Sequence, residues 1–158
     1  MRKVLLGFAL WFLLAACADA DKNMDGTSGS RPIPMPGADL KWTDLDPKGA
    51  PGVKVADLWG NHAKGAFGAF FRLPAGFVAP LHTHTHDMKV VFISGTYIQA
   101  PEGKSEVRLG PGSYMMQPGG NYRHTTACGK DADCVFFVES SGGFDLKPVD
   151  VGKAPVKK

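Results

Sequence analysis

The histidines are the residues whose type and spacing in this sequence could do chemistry. His82, His84 and His86 alternate with threonines, and His124 lies farther along the chain. Side chains two residues apart in a β-strand point to the same face, so one strand here would carry three imidazoles on one side. Imidazole is the commonest metal ligand among side chains, so this pattern predicts a site for one divalent ion. The alternative is a polar strand whose histidines and threonines face solvent on opposite sides.

Only two of the three alternating histidines are predicted to reach the same ion. An extended strand advances about 3.3 Å per residue, so His86 would lie about 13 Å from His82 unless the strand bends. A further ligand must then come from a neighbouring strand, and His124 is available. His86 is predicted either to join or replace one of the ligands, or to line the pocket beside them and carry protons.

Short strands separated by turns must position these histidines. The chain has 158 residues with 20 glycines and 12 prolines, and this frequency of turn formers excludes a helix bundle or coiled coil. Apolar and β-branched runs predict strands over 53–59, 66–73, 89–93, 96–99, 114–117 and 135–139. A spacing of roughly ten residues between strands predicts an all-β fold, either a sandwich or a small barrel.

The N-terminus has the pattern of an export signal. Arg2 and Lys3 precede the uncharged run from Val4 to Ala16, which is shorter than the about 20 residues of a membrane-spanning helix. The end of this run, Leu14-Ala-Ala-Cys17, resembles the lipobox of bacterial lipoprotein signals. That resemblance implies that residues 1–16 are a removed signal peptide and that Cys17 is lipidated. The alternative is an ordinary secretory signal that contains a cysteine.

A lipidated Cys17 would anchor the protein without a membrane-spanning segment, because several acyl chains hold a protein stably on a bilayer. We expect an exported protein on the periplasmic face of the cell envelope. Ala18 rather than Asp follows the cysteine, which favours the inner leaflet of the outer membrane if the source is Gram-negative. Residues 17–40 are predicted to be a flexible linker, 41–150 the folded domain and 151–158 a flexible tail.

The other two cysteines form an even pair. Cys128 and Cys134 flank the turn-like segment 129–133 between two strand-like runs, and an oxidising compartment would favour a disulfide between them. The alternative is a pair of free thiols. The formal net charge is only +3 and includes Arg2 and Lys3 of the predicted signal, so nucleic acid is not expected as a partner.

Two segments resemble, in order, the two motifs of the cupin superfamily. The first cupin motif reads G-x5-H-x-H-x3,4-E-x6-G, where this chain has Gly76-x5-His82-x-His84-x3-Met88-x6-Gly95. The second reads G-x5-P-x-G-x2-H, where this chain has Gly112-x5-Pro118-x-Gly120-x3-His124. The resemblance implies a single cupin-type antiparallel β-barrel, or jelly roll, with a divalent metal inside. It also implies pairing into a homodimer, which cupins often form by strand exchange.

The chain departs from the cupin pattern at two positions. Position 88 is Met where the family has a Glu ligand, and a thioether is a poor ligand for Mn²⁺, Fe²⁺ or Zn²⁺. We therefore predict that Met88 lines the pocket. One extra residue precedes His124, so a bulge must absorb it or His124 would point away from the site. Among the ligand positions that the resemblance implies, His82, His84 and His124 remain, and we predict these three as the metal ligands. This three-histidine set resembles that of some thiol-oxidising cupin dioxygenases. It favours iron or zinc, while manganese, nickel and copper stay open.

These features together predict a lipid-anchored cupin that binds one divalent metal and a small molecule. The enzyme hypothesis is a metal-dependent, dioxygenase-like oxidoreductase. The alternatives are a non-catalytic metal- or ligand-binding sensor or receptor in the cell envelope, and an adaptor with a vestigial site. His62 follows Gly60-Asn61 in a loop and is predicted to be an exposed surface residue. No second acid–base group is thus expected beside the ligands, which disfavours proton-transfer reactions.

Overall fold

The computed structural model describes residues 32–150 of the chain. The predicted signal peptide, Cys17 and the predicted tail 151–158 lie outside the described residues. Within the described part, no helix is long and apolar enough to cross a membrane. The predicted linker is described only from residue 32, and it contains a short 3-10 turn at Gly37–Asp39.

Eleven short strands form two antiparallel sheets around one core. The strands are β1 Thr43–Asp46, β2 Ala50–Gly60, β3 Phe67–Leu73, β4 Val78–Thr83, β5 Met88–Ser94, β6 Tyr97–Pro101, β7 Val107–Leu109, β8 Tyr114–Gln117, β9 His124–Cys128, β10 Cys134–Ser140 and β11 Lys147–Pro148. The six-stranded sheet has the order β1-β2-β3-β10-β5-β8, and the five-stranded sheet has the order β11-β4-β9-β6-β7. The predicted all-β class is confirmed, and all six predicted strands are present.

Three strands that the sequence does not predict, β1, β7 and β11, lie at the edges of the two sheets. Edge strands of this kind are short and largely exposed, so their sequences carry no alternation of apolar and polar residues. Lys147 and Pro148 pair with Thr83 and His82 of β4, at the edge nearest the histidines.

The pairing of β3 with β10 decides which aromatic residues face the core. Phe136 lies opposite Phe71, and their buried rings stack with centroids 5.9 Å apart. The neighbouring pair, Phe70 and Phe137, is only partly buried and lies on the other face of the sheet, because side chains alternate along each strand. The register between β3 and β10 therefore decides which of two consecutive phenylalanines faces the core, and the sequence alone does not decide it.

The predicted disulfide between Cys128 and Cys134 is present. It joins the last residue of β9 to the first residue of β10, with the two Cα atoms 5.8 Å apart. Both cysteines are buried. Since β9 and β10 belong to different sheets, the disulfide ties the two sheets together at one end of the core.

Candidate metal centre

Two adjacent strands of the five-stranded sheet bring three histidines together. His82 lies in β4 directly opposite His124, the first residue of β9, and His84 follows the end of β4. The ring centroid of His82 is 4.2 Å from that of His124 and 5.0 Å from that of His84. All three residues are buried, with 1%, 6% and 0% exposure for His82, His84 and His124. The structure therefore assembles the three residues that the sequence predicts as ligands.

The extra residue of the second motif does not turn His124 away. The pairing of β4 with β9 has an irregularity between Ala79 and His82, where β4 has one more residue than its partner. The bulge thus lies on the strand opposite His124 rather than beside it. The segment before His124 also folds against the turn after β4: the Gly120 amide donates to the His84 carbonyl at 2.8 Å, and the Gly119 amide donates to Asp87 Oδ1 at 2.7 Å.

Each of the three imidazoles is oriented by a backbone carbonyl. Nδ1 of His82 donates to the Pro80 carbonyl at 2.6 Å, Nδ1 of His84 to the Asp145 carbonyl, and Nδ1 of His124 to the Tyr122 carbonyl at 3.3 Å. A carbonyl oxygen can only accept, so the proton of each ring is on Nδ1 and the lone pair is on Nε2. Such carbonyl partners fix the tautomer and orientation of metal-binding histidines.

The free ring nitrogens fit a metal ion. One ring nitrogen from each histidine lies within 4.8 Å of the others. Among the described residues, Nε2 of His124 is a buried polar atom without a hydrogen-bond partner. Buried polar atoms normally have partners, and an ion at the centre of the three rings would supply one. A neutral nitrogen donor set suits iron, zinc, nickel and copper, and it does not identify the metal.

Burial keeps the three imidazoles neutral. It lowers the pKa of His84 to about 4, with a smaller opposing effect from the hydrogen bond to the Asp145 carbonyl. It also lowers the pKa of His124 to about 4, helped by the neighbouring His82. The pKa of His82 is lowered for the same reason. The lone pairs are therefore available to a metal at neutral pH without the loss of a proton.

No carboxylate replaces the missing motif-one Glu among the described residues of the cluster. Met88 is buried and lines the cavity beside the histidines, as predicted. A buried polar side chain beside the cluster is the amide of Gln117, whose Nε2 lies 3.5 Å from Nδ1 of His124. Its Oε1 accepts a hydrogen bond from Gln99 Nε2 at 2.8 Å. Sequence reasoning missed this buried amide pair, because its two members are distant in the chain.

His86 lies outside the cluster. β4 ends at Thr83, so the predicted extended run through His86 is wrong. The turn after β4 is held by Asp145, whose carboxylate accepts hydrogen bonds from the Thr85 amide and hydroxyl. His86 is exposed on this turn, and its ring packs over Gly142. Sequence reasoning also missed Asp145, because its contact with His84 uses a backbone carbonyl that any residue type could supply.

An apolar cavity of about 80 Å³ lies over His82 and His84. None of the described residues that line it carries a formal charge. Its walls are mainly the aromatic and aliphatic side chains Val53, Phe71, Phe77, Met88, Val90, Tyr97, Met115, Phe136, Val138 and Phe144. An outer space of about 390 Å³, the vestibule, adjoins the cavity. Six residues line both spaces: Leu45, Ala50, Phe77, Ala79, Phe144 and Leu146. The site thus has an apolar inner part and a more polar outer part.

The vestibule includes a histidine that the sequence places on the surface. The side chain of His62 is only 17% exposed, so the prediction of an exposed surface residue is wrong. Its Nδ1 lies 3.0 Å from both carboxylate oxygens of Asp57, a residue of β2. The loop after β2 folds back because the His62 amide also donates to Asp57 Oδ1 at 3.2 Å.

The family described as a domain of unknown function, DUF4437, matches residues 33–156. The chain belongs to this family. The matched residues include all the strands β1 to β11 and the clustered histidines His82, His84 and His124. No curated protein sequence matches the chain.

Solved structures with a similar fold are cupin-type proteins. The polyketide cyclase RemF from Streptomyces resistomycificus has a TM-score of 0.64 at 18% identity, over 79% of this chain and 90% of that one. An RmlC-like cupin from Ralstonia eutropha has a TM-score of 0.59 at 20% identity, over 73% and 72%. The DMSP lyase DddQ from Ruegeria pomeroyi has a TM-score of 0.51 at 23% identity, over 75% and 60%. The DUF4437 domain therefore has the predicted cupin jelly-roll fold, which by itself does not assign a reaction.

Proposed function

We propose that this DUF4437 domain binds one divalent metal ion on His82, His84 and His124 and acts on a small, uncharged, largely apolar molecule in the adjoining cavity. The observation that carries the proposal is the set of three buried imidazoles, each with Nδ1 tied to a carbonyl and the other ring nitrogen free. Three protein ligands leave coordination positions open, as catalytic metal sites do. We favour iron or zinc for the donor set.

The reaction class that we propose is a dioxygenase-like oxidation. His82, His84 and His124 are neutral ligands and would hold a divalent ion without reducing its charge, so that the ion could polarise a substrate oxygen atom or O₂. The residues of the cavity exclude water and bind an apolar group: Phe71, Phe136 and Met88 contribute no hydrogen-bonding atoms. The Gln117 amide beside His124 is a polar group that could orient a substrate from the inner wall, whereas the Tyr97 and Thr126 hydroxyls of that wall are hydrogen-bonded to each other.

The location that we propose is the cell envelope, with the domain tethered through lipidated Cys17. The Cys128–Cys134 disulfide supports this proposal, because stable disulfides are typical of oxidising compartments. Incorporation of labelled palmitate into the full chain, absent in a Cys17→Ala variant, tests the anchor. Labelling that persists in the variant would contradict it. The homodimer stays a prediction, which light scattering of the detergent-solubilised protein tests.

Metal content tests the function directly. The protein is purified without chelator and analysed by elemental mass spectrometry, beside His82→Ala and His124→Ala. The matched control is His86→Ala, which removes an exposed imidazole from the same segment. We expect about one metal ion per chain in the wild type and the control, and none in the other two variants. Equal metal in all four proteins, or none in any after reconstitution with divalent ions, would contradict the proposal.

A measurement of oxygen consumption then distinguishes the dioxygenase-like enzyme from the metal- or ligand-binding sensor. An iron-loaded protein that consumes O₂ in the presence of a small apolar substrate supports the dioxygenase-like reaction. One tightly held zinc ion, with ligand binding and no turnover, would instead favour the metal- or ligand-binding sensor.

A further inference from the structure

His62, which lines the vestibule, forms a histidine–carboxylate pair with Asp57 that the metal centre does not use. His62 and Asp57 are joined by two contacts of 3.0 Å from Nδ1 to the carboxylate oxygens. A carboxylate accepts hydrogen bonds, so the pair places the ring proton on Nδ1 and leaves the lone pair of Nε2 free. No hydrogen bond engages this Nε2 within residues 32–150. The arrangement is that of a base held by an orienting carboxylate.

The ring of His62 is held in place by packing as well as by Asp57. The His62 ring forms T-shaped pairs with the rings of Phe67 and Phe71, each with a centroid distance of 6.4 Å and an interplanar angle of 79°. Phe71 belongs to the wall of the inner cavity. The pair is therefore preorganised, with one side against the core and the other toward the vestibule.

One residue connects this pair to the metal centre. The Phe144 amide donates to the His62 carbonyl at 2.7 Å, and the Phe144 ring lies 5.4 Å from the ring of His84. Phe144 lines both the cavity and the vestibule. The cavity with His82 and His84 and the vestibule with His62 are therefore adjacent, and a small molecule that spans both spaces has two metal ligands at one end and His62 at the other.

The other titratable groups of the vestibule are already occupied. The Asp46 carboxylate accepts hydrogen bonds from the amides of Lys48 and Gly49, which lower its pKa. The pKa of Asp145 is lowered by its hydrogen bonds from Thr85 and by Lys147, against an opposing effect of burial. Both carboxylates are thus weak bases, and His62 is the remaining titratable side chain among the described residues that line the vestibule.

We propose that His62, oriented by Asp57, is the general base of this site. The inference rests on the proposed function, because the substrate is the one bound at the three histidines. Its class is an uncharged, mainly apolar small molecule with one weakly acidic hydroxyl group. Nε2 of His62 takes the hydroxyl proton, the electron pair of the O–H bond stays on the substrate oxygen, and the imidazolium formed is paired with Asp57. The proton passes to water or to the product when the product leaves. Proton transfer, disfavoured by the sequence alone, thereby becomes part of the activity.

The test uses 4-nitrophenol, a neutral phenol whose phenolate is coloured. The full-length chain, purified in detergent and loaded with zinc, is titrated with pH while the absorbance of the bound phenolate is recorded. The variants are His62→Gln and Asp57→Asn, and the matched control is His86→Gln. We expect the pKa of the bound phenol to rise by about one unit in both variants, because the paired imidazolium is lost, and to stay unchanged in the control. Zinc content and thermal unfolding temperature show that the variants are loaded and folded.

The outcomes distinguish the two proposals. A wild type that binds no metal overturns the proposed function and this inference with it. A zinc-loaded wild type that does not bind 4-nitrophenol, or in which His62→Gln leaves the pKa of the bound phenol unchanged, overturns the role of His62 and leaves the metal site intact. If either variant is unfolded, His62→Asn in the zinc-loaded protein supplies the same comparison. Nitrogen NMR of His62 gives an independent measurement: we expect the Nδ1–H tautomer, and finding the Nε2–H tautomer would also overturn the proposal.

Discussion

Acid should destabilise the metal-free protein because of its buried histidines. In the unfolded chain these side chains bind protons below a pH of about 6.5. In the folded protein His84 and His124 do so only near about 4. Between these values the unfolded state binds more protons than the folded state, so the free energy of unfolding falls as the pH falls. The stabilising effect of the neutral rings is fully present above pH 6.5 and is lost progressively toward pH 4.

The magnitude follows from the two lowered pKa values. A pH of 5 is about 1.5 units below the pKa of a histidine in the unfolded chain. Protonation of the unfolded chain at this pH therefore lowers the free energy of unfolding by about 2 kcal/mol for each ring. His84 and His124 together should therefore lower the free energy of unfolding by about 4 kcal/mol between pH 7.5 and pH 5. His82 acts in the same direction, because burial lowers its pKa as well. The lowered pKa values of Asp46 and Asp145 act below pH 4, outside this window.

The assay is urea unfolding with a chelator present and the disulfide intact, at pH 7.5 and pH 5. A His84→Gln variant should lose about 2 kcal/mol of the pH dependence, because its buried side chain does not titrate. The control is His86→Gln, a change on the exposed turn that leaves the buried cluster complete. A His84→Gln variant with the same pH dependence as the wild type would refute the reasoning. Saturation with zinc should raise the stability at pH 7.5 more than at pH 5, since protons compete with the metal.

Three further changes test the parts that support the centre. Gly119→Ala should weaken zinc binding measured by calorimetry, because an added Cβ would lie 2.5 Å from the Thr85 carbonyl oxygen, whereas Gly110→Ala has open space and should not. Asp145→Ala should lower the free energy of unfolding by about 1–2 kcal/mol, since two hydrogen bonds to the turn at Thr85 are lost; an unchanged urea midpoint would contradict this. Cys134→Ser should lower the free energy of unfolding by about 2 kcal/mol while leaving zinc content unchanged, and loss of zinc would show that the disulfide shapes the site.

Two ligands of the metal cluster could be predicted because they are close in the sequence, and the third because it lies in the second cupin-like motif. His82 and His84 are two residues apart near the end of one strand, and His124 begins the strand that pairs with it. Alternating apolar residues likewise identify the central strands, which are buried on one face. The disulfide could be predicted because only a short turn separates its two cysteines.

The rest depends on contacts that residue type does not encode. The Asp145 carbonyl that orients His84 comes from the loop after β10, and any residue there would offer the same atom. The sequence around His62 is typical of an exposed loop, and only the fold of β2 and the following turn places its ring in contact with the Asp57 carboxylate. The turn that removes His86 from the cluster depends on the distant Asp145 carboxylate. Each of these features needs the folded chain to be seen.

X-ray absorption at the zinc edge of the zinc-loaded protein tests the central claim most directly. The structure predicts a zinc ion bound by three imidazole nitrogens at about 2.0–2.1 Å, with oxygen ligands in the remaining positions. In His124→Ala the imidazole scattering should fall to two rings or the zinc should be lost, while His86→Ala should give the wild-type spectrum. A zinc environment with sulfur at about 2.3 Å, or with no imidazole scattering, would contradict the assignment of His82, His84 and His124 as the ligands.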